Sequence, residues 1–80
     1  MKTKQQIIED GHQAARLLYD TDLSRFMDEV EQNCWTEFKA TAASDKDSRE
    51  AVYMQLRGVE MVRQTLRAMV DNGSIENKSK

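Results

Sequence analysis

The strongest constraint on the fold of this chain is a long stretch with apolar residues at intervals of three and four, from about Ser48 to Asp71. This spacing is typical of an α-helix, and no proline occurs anywhere in the chain to interrupt it. Asn72 and Gly73 follow where such a helix would end. The stretch therefore predicts a helix over about 48–71, the longest in the chain.

This helix would carry too much apolar surface for a single neighbour. At 100° per residue its apolar arc spans roughly 240°, whereas an amphipathic surface helix needs about 100°. One half of the arc is aliphatic, and the other half is made of small or flexible side chains. The aliphatic half contains Val52, Leu56, Val59, Val62, Leu66 and Val70, and the small or flexible half contains Ala51, Met54, Gly58, Met61, Thr65 and Ala68.

Two further helices are expected before it, over about 3–19 and about 22–42, because the same periodicity recurs there and no strand pattern is present. The second helix and the helix over 48–71 have similar lengths and a short polar turn between them. An antiparallel hairpin is the natural pairing. The predicted fold is thus all-α, a single helical domain over 1–80 with a polar, frayed tail at 74–80.

The aliphatic half of the third helix suits the apolar stripe of the second helix. The small or flexible half then needs a second cover, because methionines and a glycine there favour close packing. The first helix, with its own stripe of small residues, would provide that cover, and so would the same helix of another copy; both arrangements remain open. The stripe of the second helix contains Leu23, Phe26, Met27, Val30, Cys34 and Phe38.

The size of the chain makes an additional source of stability necessary. Eighty residues bury only a small core, and such chains usually depend on a disulfide, a metal ion or another subunit. The single cysteine, Cys34, excludes an internal disulfide, and the single histidine, His12, leaves too few ligands for a structural zinc site. We therefore expect no metal or other cofactor, and a homo-oligomer or a protein partner instead.

The charge pattern argues against nucleic acid and membranes as partners. The formal net charge is −2, so no overall field draws the chain to DNA. The arginines of the third helix could contact phosphates, but acidic residues interleave with them and aromatic residues for base stacking are few. Apolar runs fall far short of the roughly 20 residues of a transmembrane helix. An acidic second helix and a slightly basic third helix indicate complementary charges across the hairpin.

No pattern in the sequence indicates catalysis. The chain has no glycine-rich phosphate loop, no HExxH or CxxC motif and no Ser/His/Asp set at a recognisable spacing. Cys34 falls within an apolar stripe, where a cysteine acts as a small hydrophobic residue. His12 falls at the edge of the first helix's stripe. The sequence therefore predicts a protein that is not an enzyme and has no catalytic residues.

Trp35 is the one residue out of pattern. It lies roughly 60° beyond Phe38 around the second helix, outside the main stripe and next to charged neighbours. Tryptophan is enriched at the energetic centres of protein interfaces. Two interpretations follow: the first helix covers the indole ring, or another chain does. We therefore include Trp35 among the candidate protein-interaction residues, together with the small or flexible half of the third helix.

The order of these segments resembles a group of short helical proteins of tailed bacteriophages. The segments that carry the resemblance are "AARLLYD" (14–20), "FMDEVEQNCWTEF" (26–38), "DKDSREAVY" (45–53) and "MVDNG" (69–73). The similarity covers nearly the whole chain, although each motif is loose. Genes for such proteins often lie among those for virion structure and assembly, and the group has no catalytic residues to transfer.

The resemblance implies an accessory protein of virion structure or assembly, which acts as a homo-oligomer in the bacterial host cytoplasm or on the virion. Its partner would be itself, a phage protein or a host protein. The alternative is a small phage inhibitor that occludes a host protein of defence or transcription, with Trp35 and the acidic side of the second helix as its contact surface.

Overall fold

The structure is a computed structural model that describes residues 1–78. Within this range the chain forms three α-helices and no β-strand: α1 (Lys4–Leu18), α2 (Thr21–Ala40) and α3 (Lys46–Lys78). The predicted all-α class with three helices is therefore confirmed. The predicted boundaries of α1 and α2 are correct to within one or two residues, whereas α3 is much longer than expected.

Each helix begins at a polar side chain that accepts a hydrogen bond from a backbone N–H three residues later. The N–H of Gln6 donates to the Thr3 hydroxyl (3.1 Å) and that of Leu23 to the Asp20 carboxylate (2.9 Å). The N–H of Ser48 donates to Asp45 (3.2 Å). Such N-caps satisfy amide groups that have no partner inside the helix. Because Asp45 serves as the cap, α3 begins at Lys46 rather than at the predicted position 48. The caps are Thr3, Asp20 and Asp45.

The far end of α3 corrects the sequence prediction. The helix does not stop at Asn72–Gly73 but continues to Lys78, so residues 74–78 of the expected polar tail are helical, and residues 79–80 lie outside the described part of the chain. Gly73 is buried and helical rather than left-handed. Its contact with α1 explains the difference, because tertiary packing overrides a local stop signal.

The arrangement is an elongated hairpin with one interrupted arm. Both α1 and α2 run antiparallel to α3, one after the other, with a break at Tyr19 and Asp20. Each packs against α3, and the two barely touch each other. The molecule measures 56 × 26 × 15 Å, which is about the length of a 33-residue helix at 1.5 Å per residue. α3 is therefore the spine on which the other helices lie.

The α1–α3 contact is a close crossing of two glycines. A Cβ added at Gly11 would lie 2.9 Å from the Gly73 Cα and 2.9 Å from the Met69 carbonyl oxygen. Real Cβ atoms do not come this near to backbone, so the crossing depends on the absence of side chains at both positions. Ala14, one turn further along α1, is buried as well. α1 therefore covers the C-terminal third of α3.

The α2–α3 contact combines a small apolar core with charge pairs at its edge. Cys34, Val52 and Leu56 form the buried cluster, and Phe38 packs against it. The position of Cys34 agrees with the prediction that this thiol belongs to the hairpin core. Arg63 of α3 pairs with two carboxylates of α2, as the complementary charges of these helices predicted. The pairs are Arg63–Asp28 at 2.8 Å and Arg63–Glu31 at 3.3 Å.

The core as a whole is thin. Among the described residues only four apolar side chains are buried, whereas many large ones are half exposed. A chain with so little buried apolar surface is marginally stable on its own. The buried residues are Ala14, Cys34, Val52 and Leu56.

Candidate protein-interaction surface

The small or flexible half of α3 is exposed in the single chain and joins apolar residues of α2 in one surface. We call this surface the Gly58 face. Met54 and Met61 are 63% and 60% exposed, and Val62 is 51% exposed. Phe26 and Val30 of α2 are 52% and 46% exposed. The Gly58 face consists of Phe26 and Val30 on α2 and of Ala51, Met54, Gly58, Met61, Val62 and Thr65 on α3.

The face is centred on a shallow groove between the two helices. Phe26 and Val30 border the groove on α2, and Gly58 and Val62 border it on α3, while Val59 contributes to its floor. These side chains are almost entirely apolar. A contiguous apolar surface of this kind, made of several half-exposed large side chains, is typical of a site that binds protein. The arrangement gives a partner helix both a recess and flexible methionines to pack against.

Of the two covers that the sequence left open for this face, the first helix does not provide one. A Cβ added at Gly58 would meet no atom within 4 Å, in contrast to the tight fit at Gly11. The reason is geometric: α1 lies beyond the end of α2 along the spine, beside Met69 and Gly73, and does not reach the middle of α3. Within the single chain, Gly58 is therefore open to solvent.

The structure does not bring Trp35 together with the Gly58 face. Trp35 is nine residues after Phe26, which places it about 180° around α2. Its indole ring is 48% exposed and makes an edge-on contact with the Phe38 ring, with centroids 5.9 Å apart. α1 does not cover it, since Trp35 lies about 20 Å along α2 from the α1–α2 junction. The interpretation in which the first helix covers the indole ring of Trp35 is therefore wrong.

The side of the hairpin that carries Trp35 differs electrostatically from the Gly58 face. Arg63 lies there between Asp28 and Glu31. The hydrogen bond that the Arg63 guanidinium donates to the Asp28 carboxylate raises the pKa of Arg63 above its ordinary value, despite partial desolvation. Arg49 stacks on the Phe38 ring, 4.2 Å from its centroid. Part of the acidic charge of α2 is thus already neutralised within the chain.

Ala68, the last candidate of the small or flexible half, is exposed on α3 but lies toward the outer side of the helix. It is ten residues, or about 1000°, beyond Gly58, which places it some 80° away around the helix. Ala68 therefore borders the face rather than lying in it. The other five predicted residues of α3 share one side of the helix.

Three residues of the face were assigned to the hairpin core by sequence reasoning: Phe26, Val30 and Val62. Each is about half exposed in the structure. For Phe26 and Val62 the distinguishing signal is a place at the edge of an apolar stripe, whereas Val30, about 40° from Cys34, lies within its stripe and has no such signal. Phe26 lies about 80° from Cys34 around α2, and Val62 lies only about 40° from Gly58 around α3.

Other kinds of site have little basis in the described part of the chain. Within residues 1–78 no three His, Cys, Asp or Glu side chains are close enough to hold a metal ion. None of the helices in that range is both long enough and apolar enough to cross a bilayer.

Comparisons of the chain with protein-family models, with curated proteins and with solved structures gave no match. The surface itself is therefore the feature that indicates a function. Its two distinctive features are the large apolar Gly58 face and the half-exposed Trp35 on the opposite side.

Proposed function

We propose that this chain is a non-enzymatic protein-binding protein that acts as a homo-oligomer through its Gly58 face. The observation that carries the proposal is the exposure of Phe26, Val30, Met54, Met61 and Val62 on one continuous surface, beside a core of only four buried apolar residues. Proteins that stay single rarely leave such a surface to water.

The energetic argument concerns the apolar area that association would remove from water. Fully burying a side chain of this size contributes about 1.5–3 kcal/mol. Five side chains that are about half exposed would therefore contribute on the order of 5 kcal/mol, before the cost of association. This gain is comparable to the whole stability of a small domain. The face accounts for how a thin-cored chain becomes a stable fold.

We place this activity in the structure or assembly of a tailed-bacteriophage virion, as an accessory protein. The support is the order of the helical segments, which resembles short helical phage proteins over nearly the whole chain. The chain would then act in the host cytoplasm or remain on the particle. Its partners would be further copies of itself and a phage or host protein.

The test is a charge placed within the face. Met61→Asp should lower the light-scattering mass at micromolar concentration and the midpoint of thermal unfolding, because a buried carboxylate without a partner is costly. The matched control is Gln64→Asp, an exposed position about 120° from Gly58 around α3. Equal mass for wild type and both variants would contradict a role for the face in association.

A second candidate function is supported by Trp35. An indole that is 48% exposed, packed edge-on against Phe38, is the kind of residue that anchors an interface. A small phage inhibitor could use it, with the acidic side of α2, to occlude a host protein. Binding of a host protein in a pull-down with wild-type chain should be lost with Trp35→Ala and retained with Tyr53→Ala, another half-exposed aromatic. Equal recovery with both variants would remove this candidate.

A further inference from the structure

We infer that the Gly58 face binds the same face of a second copy, with the two α3 helices antiparallel and crossing at Gly58. This inference rests on the proposed function, because it specifies the partner and the geometry of the association proposed there.

The residues about Gly58 are spaced almost symmetrically along α3. Suppose that two α3 helices cross antiparallel, with a two-fold axis at Gly58. A residue before Gly58 in one copy then faces a residue about equally far after Gly58 in the other copy. Ala51 and Thr65 lie seven residues on either side, and Met54 and Met61 lie four and three residues away. Each small residue would meet another small residue, and each methionine would meet a methionine. The face is therefore complementary to itself.

The backbone at Gly58 is accessible to a second helix. At the α1–α3 crossing, two glycines allow the helices to meet so closely that a Cβ on either would contact the other's Cα at 2.9–3.0 Å. Gly58 presents the same bare backbone on an apolar surface, with no atom within 4 Å of an added Cβ. In an interior helical position glycine destabilises the helix by about 1 kcal/mol relative to alanine, and a close crossing gives that glycine a structural reason.

The charged side chains in the middle of α3 lie outside the Gly58 face. Between positions 51 and 65 the charged residues of α3 are Arg57, Glu60 and Arg63, and none of them lies on the face. Arg57 pairs with Glu60 within the helix at 3.1 Å, and Arg63 pairs with Asp28 and Glu31 of α2. The α3 helices of two copies could thus meet without bringing like charges together, and the charged group nearest to the α2 part of the face is Arg25, which lies over the Phe26 ring, 4.5 Å from its centroid. A partner recognised through charge would find no group to bind in the centre of this surface.

The dimensions of the Gly58 face can be compared with those of a protein–protein interface. The face extends about 21 Å from Ala51 to Thr65 at 1.5 Å per residue, and two helices packed about 10 Å apart make it about 20 Å wide. Its projected area is thus on the order of 400 Å², and the relief of its half-exposed side chains raises the accessible area toward the roughly 600–1000 Å² per partner of a standard interface. A surface of this size is at the lower end of what a dimer of two small chains needs.

The experiment uses cysteines that can pair only across the crossing. Met54→Cys and Met61→Cys are prepared separately in a Cys34→Ala background, so that each chain has one thiol. In the inferred dimer, Met54 of one copy faces Met61 of the other. Two equivalent Met54 positions would be about 12 Å apart along the spine and two Met61 positions about 9 Å, beyond the roughly 7 Å between Cα atoms that a disulfide spans.

We expect a disulfide-linked dimer when the two variants are refolded together and oxidised, and none when either is oxidised alone. If the loss of methionine weakens association, Ala51→Cys and Thr65→Cys provide a second pair that leaves both methionines in place. Cross-links within single-variant samples would overturn the antiparallel crossing while leaving a homo-oligomer. Wild-type chain that stays monomeric at every concentration would contradict the proposed homo-oligomer itself, and with it this geometry.

Discussion

Two glycine sites on the same helix have opposite surroundings. Gly73 is buried against Gly11 of α1, so closely that neither position has room for a methyl group, whereas Gly58 faces open space on a surface of half-exposed apolar side chains. Both sites have the composition of a close helix crossing, but only one has its partner within the chain. The difference shows that composition alone does not decide which glycine is covered within the chain.

The reason lies in how the two shorter helices share the long one. α1 and α2 follow one another along α3, so each section of the spine has one neighbour instead of two. The single-layer arrangement leaves one side of the middle of α3 free for another chain.

The largest expected effect is that of filling the covered site. Gly11→Ala would place a methyl group 2.9 Å from the Gly73 Cα and the Met69 oxygen, and backbone cannot move aside without separating the helices. Overpacking of this kind typically costs about 1–3 kcal/mol, and we expect urea unfolding to show a loss in this range in spite of alanine's better helix propensity. A gain in stability would mean that the α1–α3 crossing is not formed in solution.

The same substitution at the open site should act differently. In dilute solution, where the chain is monomeric, Gly58→Ala should raise the free energy of unfolding by up to about 1 kcal/mol through helix propensity. At high concentration it should weaken self-association, because the methyl group would lie in the crossing. The measurement is the thermal midpoint as a function of protein concentration, which rises for an associating wild type. If Gly58→Ala raises the thermal midpoint equally at all protein concentrations, Gly58 is not in contact with a second copy.

A smaller effect is expected at the charged edge of the hairpin, away from both glycine sites. Arg63→Met removes the pairs with Asp28 and Glu31 but keeps an apolar stem, and partly exposed pairs contribute about 0.5–1 kcal/mol. The control is Arg57→Met, which loses only a pair within α3. The two variants should differ in their free energy of unfolding in urea, and this difference should become smaller in 1 M salt, where the Debye length is about 3 Å. A difference that salt leaves unchanged would point to packing instead.

The smallest effect concerns the start of α3. Hydrogen bonds from Ser48 lower the pKa of Asp45 from its ordinary value of 3.8. A lowered folded pKa means that the stabilisation is present above the unfolded pKa and is lost as the pH falls below about 4 through the folded value. Asp45→Asn keeps a capping side chain without a titrating group. Its stability should therefore decline less than that of wild type between pH 5 and pH 3 in circular dichroism titrations, and an identical decline would contradict this role for the cap.

Much of the fold could be predicted because helical periodicity and the absence of proline are local properties. The three helices, the all-α class and the place of Cys34 in the hairpin core follow from these patterns. The end of α3 could not be predicted in the same way. Gly73 after Asn72 is a strong local stop signal, and only the contact with Gly11, sixty-two positions earlier in the chain, shows why the helix continues.

The candidate surface could be predicted in part. The excess apolar arc of α3 indicated Met54, Gly58 and Met61 as residues in need of a cover, and the structure leaves them exposed in one chain. Phe26 and Val30 were missed, because whether the edge of a stripe is buried depends on the rotation of α2 about its axis. Periodicity gives the width of an apolar stripe but not the direction in which it points.

The central claim is that the Gly58 face is buried against another copy of the chain. Sedimentation equilibrium of the wild type from low to high micromolar concentration tests it most directly, with Met61→Asp measured in parallel. The expected mass rises toward twice that of the chain for wild type and stays at the monomer value for Met61→Asp. A folded wild-type monomer over the whole range would contradict it.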